Sequence, residues 1–260
     1  MSKCLLLVLV AAAGLLIPRV VSADPTPGTV ETPMKIVPAP GPVTIDADLA
    51  EWNKDGKLGP ASFDPDSIDD YNATCYAMYD QDYFYLAAVI VEPHPPYNPF
   101  PLKGVGAWNA DDVIIRMSTN PTRKWPIEGS QESLKGDPDL FQGDLWYNHV
   151  NKKTYWDGYH GMGGPMLPEA QWEGTQVAVK LAADGKGYTQ EMRIPWKTLN
   201  PNFHPKPGDR IAFTWDIGLG SANPGEPSRS FEVFLNGGGT DSFRTPTIWG
   251  QAVFTGPAAP

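Results

Sequence analysis

The chain has 260 residues and a formal net charge of −10, and it combines 26 Gly and 28 Pro with 9 Trp. Because 41% of the residues are hydrophobic, the chain can bury a core, which excludes a disordered protein; the frequent Pro and Gly exclude a coiled coil or helical bundle. The excess of acidic residues, without a basic stripe, excludes a typical nucleic-acid-binding protein. One loop-rich, all-β domain is the class that remains.

The N-terminus has the pattern of a secretory signal peptide. Lys3 precedes an apolar run over residues 4–17, and small residues at 21 and 23 follow it, so cleavage is expected after Ala23. The run is shorter than the ~20 residues that cross a bilayer, so no membrane span is expected after cleavage. We predict a signal peptide over residues 1–23 and a mature protein that is secreted, periplasmic or held at the cell surface.

The proline-rich stretch over residues 24–42 shows no periodicity, which predicts a tether or an extended lead-in strand. A single domain is predicted over 43–256, because no second low-complexity break and no internal repeat follows. Once the signal peptide is removed, Cys75 is the only cysteine, so no internal disulfide is expected. In a domain of this size the thiol is expected to be a small buried hydrophobe.

Short strand patterns separated by turn residues recur along the domain. The predicted strands are 74–79, 83–91, 113–117, 177–181, 188–194, 211–217 and 231–235. Residues 195–199 predict one helical turn. Many short strands with turn signals between them are typical of an antiparallel β-sandwich or jelly roll with long loops.

No enzyme motif is present, and the four histidines lie in unrelated contexts, so no catalytic residue is assigned. Aromatic side chains carry more information. Five tryptophans and one phenylalanine lie among Gly, Pro, Asn and Asp: Trp108, Trp125, Trp146, Trp156, Trp172 and Phe243. Flat aromatic faces in loops suit the apolar face of a sugar ring, although such side chains also pack beneath long loops. The other tryptophans, which are Trp52, Trp196, Trp215 and Trp249, are predicted to be core residues.

Five segments together resemble the family 9 carbohydrate-binding modules and their wider DOMON-like relatives. The segments are residues 43–52, 79–86, 108–113, 187–196 and 207–213. The fourth, which reads Gly-Tyr-Thr-Gln-Glu-Met-Arg-Ile-Pro-Trp, is similar to the family's Gly-Tyr-x-x-Glu-x-x-Ile-Pro-Trp signature. The segments follow the family's order and cover essentially the whole predicted domain.

This resemblance implies a β-sandwich that binds a glycan or oligosaccharide between two facing aromatic rings, without catalysis. By position these rings would be Trp108 and Phe243. Asn109, Asp111 and Arg244 are the candidate polar neighbours. The implied function is a secreted carbohydrate-binding module in polysaccharide degradation, with the alternative of an accessory part of a glycoside hydrolase system. The sequence leaves the oligomeric state open.

Two positions depart from the family pattern. Ile114 stands where sugar-binding members have a Glu, and the alignment places Trp146, another candidate ligand-binding residue, where they have an Arg. Loss of both groups would remove charge-assisted hydrogen bonds to sugar hydroxyls. Two interpretations stay open: the protein binds a different glycan, or it keeps the fold without binding a sugar.

The resemblance also implies two candidate cofactors. Family 9 modules often carry calcium, and Asp46, Asp48 and Glu92 offer suitable oxygen ligands, although turn and capping roles explain the same acids. Some DOMON-like relatives bind haem through a methionine, which makes a haem-binding electron-transfer domain the other alternative function. The candidate methionines are Met78, Met117, Met162 and Met166, for which core packing is the competing explanation.

Overall fold

The computed structural model describes residues 28–101, 106–220 and 229–256. These residues form twelve strands, which are β1 (Met34–Pro38), β2 (Leu58–Ala61), β3 (Asn72–Tyr79), β4 (Tyr83–Val91), β5 (Asp112–Ser118), β6 (Leu140–Asn148), β7 (Lys153–His160), β8 (Gln176–Leu181), β9 (Tyr188–Pro195), β10 (Arg210–Gly220), β11 (Arg229–Leu235) and β12 (Gly250–Phe254). One α-helical turn, α1 (Trp196–Leu199), follows β9. Five 3₁₀ turns complete the elements: Lys54–Gly56, Pro65–Ser67, Ala107–Asn109, Glu169–Trp172 and Pro246–Ile248. The predicted signal peptide lies outside the described residues.

The all-β prediction is confirmed, and so are the seven predicted strands and the helical turn. Sequence patterns missed β2 and β12, and they also missed β6 and β7, which form a hairpin over residues 140–160. No helix in the described ranges has the length and apolar character needed to cross a membrane. The jelly-roll assignment stays a prediction.

The strands form two layers that are joined through β1. The hydrogen-bonded order is β7-β6-β5-β10-β12-β1-β3-β4-β9-β8, with β11 added beside β10 and β2 beside β3. Met34–Ile36 pairs with β12, and the next two residues pair with β3, so one short strand changes layer within five residues. Both of these pairings are parallel, whereas the sequence predicted an antiparallel sandwich.

Within the stretch predicted to be a tether or an extended lead-in strand, the structure has a strand at Met34–Pro38. Met34 and Ile36 are 1% and 0% exposed, and Lys35 between them points to solvent. This alternation is the strand signal, and the surrounding prolines obscured it. The fold thus begins before residue 43, where the sequence placed the domain boundary.

The core lies between the two layers and contains side chains from both. Phe84 from one layer packs edge-on against Phe213 from the other, with ring centroids 5.8 Å apart. The four tryptophans predicted to be core residues are all buried, as is Cys75. Burial raises the pKa of the Cys75 thiol far above its ordinary value, which suits its predicted role as a small hydrophobe.

A buried carboxylate fastens the segment after β1 to the sheet. Glu191 on β9 is 0% exposed, and its Oε2 accepts hydrogen bonds from the backbone N–H groups of Asp46 and Ala47 at 2.8 and 2.6 Å. Its Oε1 accepts a hydrogen bond from the indole Nε1 of Trp52 at 2.8 Å. Burial raises the pKa of Glu191, and the three donors lower it. Glu191 thus explains why an acid occupies an otherwise buried strand position.

Replacement of Glu191 by Ala is expected to lower the free energy of unfolding by about 3 kcal/mol or more, because three buried donors would lose their acceptor. Urea denaturation followed by tryptophan fluorescence measures the change. Glu173→Ala is the matched control, since this exposed acid makes only a surface ion pair with Lys197 at 3.6 Å. Equal stability of the two variants would contradict the stabilising role assigned to the hydrogen bonds of Glu191.

Candidate functional site

The outward face of the β7-β6-β5-β10 layer carries polar side chains at positions that alternate with core residues. On β5, Ile115 faces the core, while Ile114 and Arg116 face outward. Across the strands Arg116 is paired with Gln142 on β6 and with Thr214 on β10. The strand pairing therefore places a row of polar groups on the face opposite the core.

This face forms the floor of a cleft of about 510 Å³. Trp108 and Phe243 are 42% and 41% exposed and form its rim, whereas Arg116 and Asp216 are 5% and 3% exposed and form its floor. The remaining lining residues are Asn109, Ile114, Gln142, Asp144, Tyr159, Met166, Glu232 and Thr240. The cleft thus combines exposed aromatic faces with buried charged groups.

A hydrogen-bonded chain connects the floor to the rim. The Nε of Arg116 donates to the Oε1 of Gln142 at 2.9 Å, and its Nη1 lies 3.4 Å from the Oδ2 of Asp216. The amide nitrogen of Gln142 donates to the carbonyl oxygens of Phe243 and Gly161, each at 3.1 Å. Arg116 is therefore held in one orientation. The Gln142 side chain, which helps to orient Arg116, also holds the backbone at Phe243.

Tyr159 on β7 adds a hydroxyl to the cleft. Burial raises its pKa to about 12, and the nearby Asp144 carboxylate adds to this effect while Arg116 opposes it. Tyr159 therefore keeps its proton throughout the physiological range and can donate a hydrogen bond.

Trp108 is presented by the 3₁₀ turn Ala107–Asn109. The turn begins at Gly106, whose φ of 91° is a left-handed conformation that glycine adopts without a side-chain penalty. The buried Asn98 side chain donates hydrogen bonds to the carbonyl oxygens of Ala107 and Asp111, each at 3.0 Å. The Trp108 ring is thus carried by a backbone that is fixed on both sides.

Phe243 lies in the loop that precedes β12. Ser242 anchors this loop, because its Oγ accepts from Gly239 N at 2.8 Å and its carbonyl accepts from the indole of Trp249 at 2.9 Å. The Arg244 guanidinium lies 5.3 Å from the centroid of the Phe243 ring and pairs with Asp241 at 2.7 Å. Arg244 therefore supports the ring, and it is not among the residues that line the cleft.

The structure brings three of the predicted site residues together in the cleft: Trp108, Phe243 and Asn109. Asp111 does not line it. This residue is 1% exposed, its carboxylate accepts a hydrogen bond from Tyr97 N, and its own N–H donates to the Tyr97 carbonyl at 3.2 Å. Asp111 thus belongs to the base of the loop that presents Trp108.

Trp146 also does not line the cleft. The residue paired with Ile114 across the two strands is Asp144. Trp146 is 0% exposed, donates from its indole nitrogen to the carbonyl of Phe100 at 2.8 Å, and stacks on Tyr155 with centroids 5.6 Å apart. The long connection between β5 and β6 concealed the register.

Sequence reasoning missed the residues of the floor, which are Arg116, Gln142, Asp144, Asp216 and Glu232. The sequence did contain a signal for two of these residues, because Arg116 interrupts the apolar run of β5 and Asp216 interrupts that of β10. A polar residue at an outward position of a buried strand indicates either a pairing partner or a site.

The other predicted cofactor residues are dispersed. Asp46 and Asp48 lie in the N-terminal segment, where Asp48 pairs with Lys180 at 3.6 Å. Among the described residues, the acids and histidines able to share a metal ion are Glu92, His94 and Asp111 instead. Calcium binding by Asp46, Asp48 and Glu92 stays a prediction.

The methionines considered for haem lie mostly in the interior. Met78, Met117 and Met162 are each 0% exposed, whereas Met166 is 39% exposed and lines the cleft. The described lining residues offer Met166 no His or Lys as a second axial ligand.

Two solved structures share the fold. A family 9 carbohydrate-binding module from Caldicellulosiruptor kristjanssonii in complex with glucose is 17% identical, with a TM-score of 0.58, covering 87% of this chain and 98% of that chain. A family 9 module from the same organism in complex with cellotriose is 15% identical, with a TM-score of 0.57, covering 86% of this chain and 95% of that chain. No family model and no curated protein matches the sequence. At sequence identities of 17% and 15%, the similarity to these two structures establishes the fold of this chain alone.

Trp146→Phe is expected to lower the free energy of unfolding by about 1 kcal/mol, because the Phe100 carbonyl would lose its indole donor while the ring stacking persists. Thermal and urea denaturation measure this loss. Unchanged stability would contradict the supporting role assigned here to Trp146.

Proposed function

We propose that this protein is a non-catalytic carbohydrate-binding module that holds a sugar in the cleft between Trp108 and Phe243. The observation that carries the proposal is the presence of two exposed aromatic rings above a buried polar floor in one cleft. The shared fold supports it, since the similar structures are complexes with glucose and cellotriose.

The chemistry of the cleft suits a neutral, hydroxyl-rich ligand. Aromatic faces cover the C–H face of a pyranose ring, and this contact removes apolar surface from water. Arg116 donates to hydroxyl oxygens, while the carboxylates of Asp144 and Glu232 accept from hydroxyl protons. Because every sugar hydroxyl is both a donor and an acceptor, mixed charges on the floor favour binding of a sugar.

The departures at Ile114 and Trp146 leave the cleft with other polar anchors, which are Arg116 and Gln142. Arg116 lies two residues beyond Ile114 on β5, or about 7 Å along the strand. A displaced anchor would contact different hydroxyls from those that an acid at 114 would bind. Of the two open interpretations we therefore favour a different glycan or a different binding orientation.

We further propose that the module acts outside the cytoplasm, as the predicted signal peptide implies, and that it assists polysaccharide-degrading enzymes by holding their substrate. Asp216 in the cleft is paired with Arg116, which suits orientation of a ligand more than proton transfer. Release of reducing sugar from polysaccharides by the purified protein would contradict the non-catalytic assignment.

Loss of either rim ring is expected to weaken binding. Trp108→Ala and Phe243→Ala should each reduce the affinity for the best ligand in a glycan panel about tenfold or more, because one face of the sugar would lose its stacking partner. Isothermal titration calorimetry measures the affinities. Phe231→Ala is the matched control, since Phe231 is 37% exposed and is not one of the residues that line the cleft. Wild-type affinity in both rim variants would overturn the site.

Arg116→Lys is expected to weaken binding about tenfold, because lysine keeps the charge and loses the oriented fork of donors. Arg244→Ala should weaken binding only about two- to threefold, since Arg244 supports the Phe243 ring and does not line the cleft. The same calorimetric titration compares them, with thermal denaturation as a check on folding. A larger loss for Arg244→Ala than for Arg116→Lys would contradict the role of Arg116 as the anchor.

A further inference from the structure

The segment that follows β7 brings a thioether side chain to the cleft. Met166 lies in this segment and is 39% exposed, and it lines the cleft together with the rim rings of Trp108 and Phe243. Among the described lining residues, these three are the exposed large hydrophobic side chains. Met166 thus adds apolar surface that stays open to solvent until a ligand covers it.

A backbone hydrogen bond fixes the chain beside Met166 to β7. The N–H of Leu167 donates to the Gly158 carbonyl oxygen at 2.7 Å, and the Leu167 side chain packs against the core. Gly158 directly precedes Tyr159, which lines the same cleft. The chain therefore turns Leu167 inward and holds Met166 at the cleft beside Tyr159.

The other sulfur-containing side chains in the described part of the chain are shielded from solvent. Five further methionines are at most 1% exposed, and they are Met34, Met78, Met117, Met162 and Met192. Cys75 is buried as well, and burial raises the pKa of its thiol, so almost no thiolate forms. Because oxidation follows exposure to the oxidant, Met166 is the described sulfur that a dissolved oxidant reaches first.

We propose that Met166 is a site of methionine sulfoxide formation, and that its oxidation weakens sugar binding in the cleft. The oxidant is a peroxide. The sulfur of Met166 attacks one oxygen of hydrogen peroxide, an S–O bond forms and the O–O bond breaks; the proton on the transferred oxygen passes to the departing hydroxide, which leaves as water. The sulfur is oxidised by two electrons, and the peroxide is reduced by two. The effect on sugar binding rests on the proposed function, whereas the modification does not.

The sulfoxide changes the chemistry of the cleft surface at this position. A thioether is apolar and flexible, whereas a sulfoxide is polar and its oxygen accepts hydrogen bonds. The oxidised side chain would hold water beside the rings of Trp108 and Phe243, where the ligand otherwise covers apolar surface. Both rings stay in place when Met166 is oxidised, so we expect a partial loss of affinity.

Peptide mapping by mass spectrometry tests the modification without any sugar. The full chain is treated with hydrogen peroxide for increasing times, and the sulfoxide content of each methionine is measured. Met166 should be oxidised at least about tenfold faster than the buried Met162 of the same segment. Circular dichroism checks that the treated protein is folded. Equal rates at these two methionines in the folded protein would overturn the proposal.

Isothermal titration calorimetry with the best ligand of the glycan panel tests the effect on binding. Peroxide should lower the affinity of the wild type about threefold or more, and methionine sulfoxide reductases with a dithiol should restore it. Met166→Leu should keep its own untreated affinity after the same treatment, because leucine has no sulfur to oxidise. Met162→Leu is the matched control and should lose affinity as the wild type does. An equal loss in Met166→Leu would overturn the effect on binding.

The two experiments separate this proposal from the proposed function. If no glycan binds the untreated protein, the proposed function fails, while peptide mapping still decides whether Met166 is the modified residue. If a glycan binds and complete oxidation of Met166 leaves its affinity unchanged, the proposed function stands and the effect of oxidation on binding is refuted.

Discussion

A buried guanidinium on the outer face of a β-sheet is the interaction on which the cleft depends. Arg116 lies on a strand whose alternate residues fill the core, so its side chain must emerge on the opposite face. Its charge is tolerated because Asp216 and Gln142 hold it. Gln142 also bonds the backbone at Phe243, so the electrostatic floor and the aromatic rim form one connected structure.

The two rim residues reach the cleft from separate loops, and each loop is fixed by a few backbone contacts. Gly106 permits the turn before Trp108, and Asn98 bonds the backbone on both sides of that turn. Ser242 has the corresponding role beside Phe243. Rings that are held in this way lose little conformational freedom on binding, which favours recognition of a weakly apolar ligand such as a sugar.

Local patterns were sufficient to predict the all-β class, seven strands and the helical turn, while the family resemblance selected Trp108 and Phe243 from the six aromatic residues in loops. These features depend on side-chain alternation, turn residues and order along the chain. The same reasoning failed for Trp146 and Asp111, because an aromatic or acidic residue beside a loop is compatible with either a site or a structural role. Burial separates the two cases, and it depends on how residues 93–101 pack on the sheet.

The sequence by itself therefore determined that the chain forms short strands around an apolar core and exposes Trp108 and Phe243. Only the tertiary structure decided that Met34–Pro38 joins two layers, that Asp144 faces Ile114, and that Glu92 lies beside Asp111. The physical reason is that each of these facts is a pairing between distant segments. The register of such pairings is set by the packing of whole strands across the core and by loops of variable length, and no local pattern encodes it.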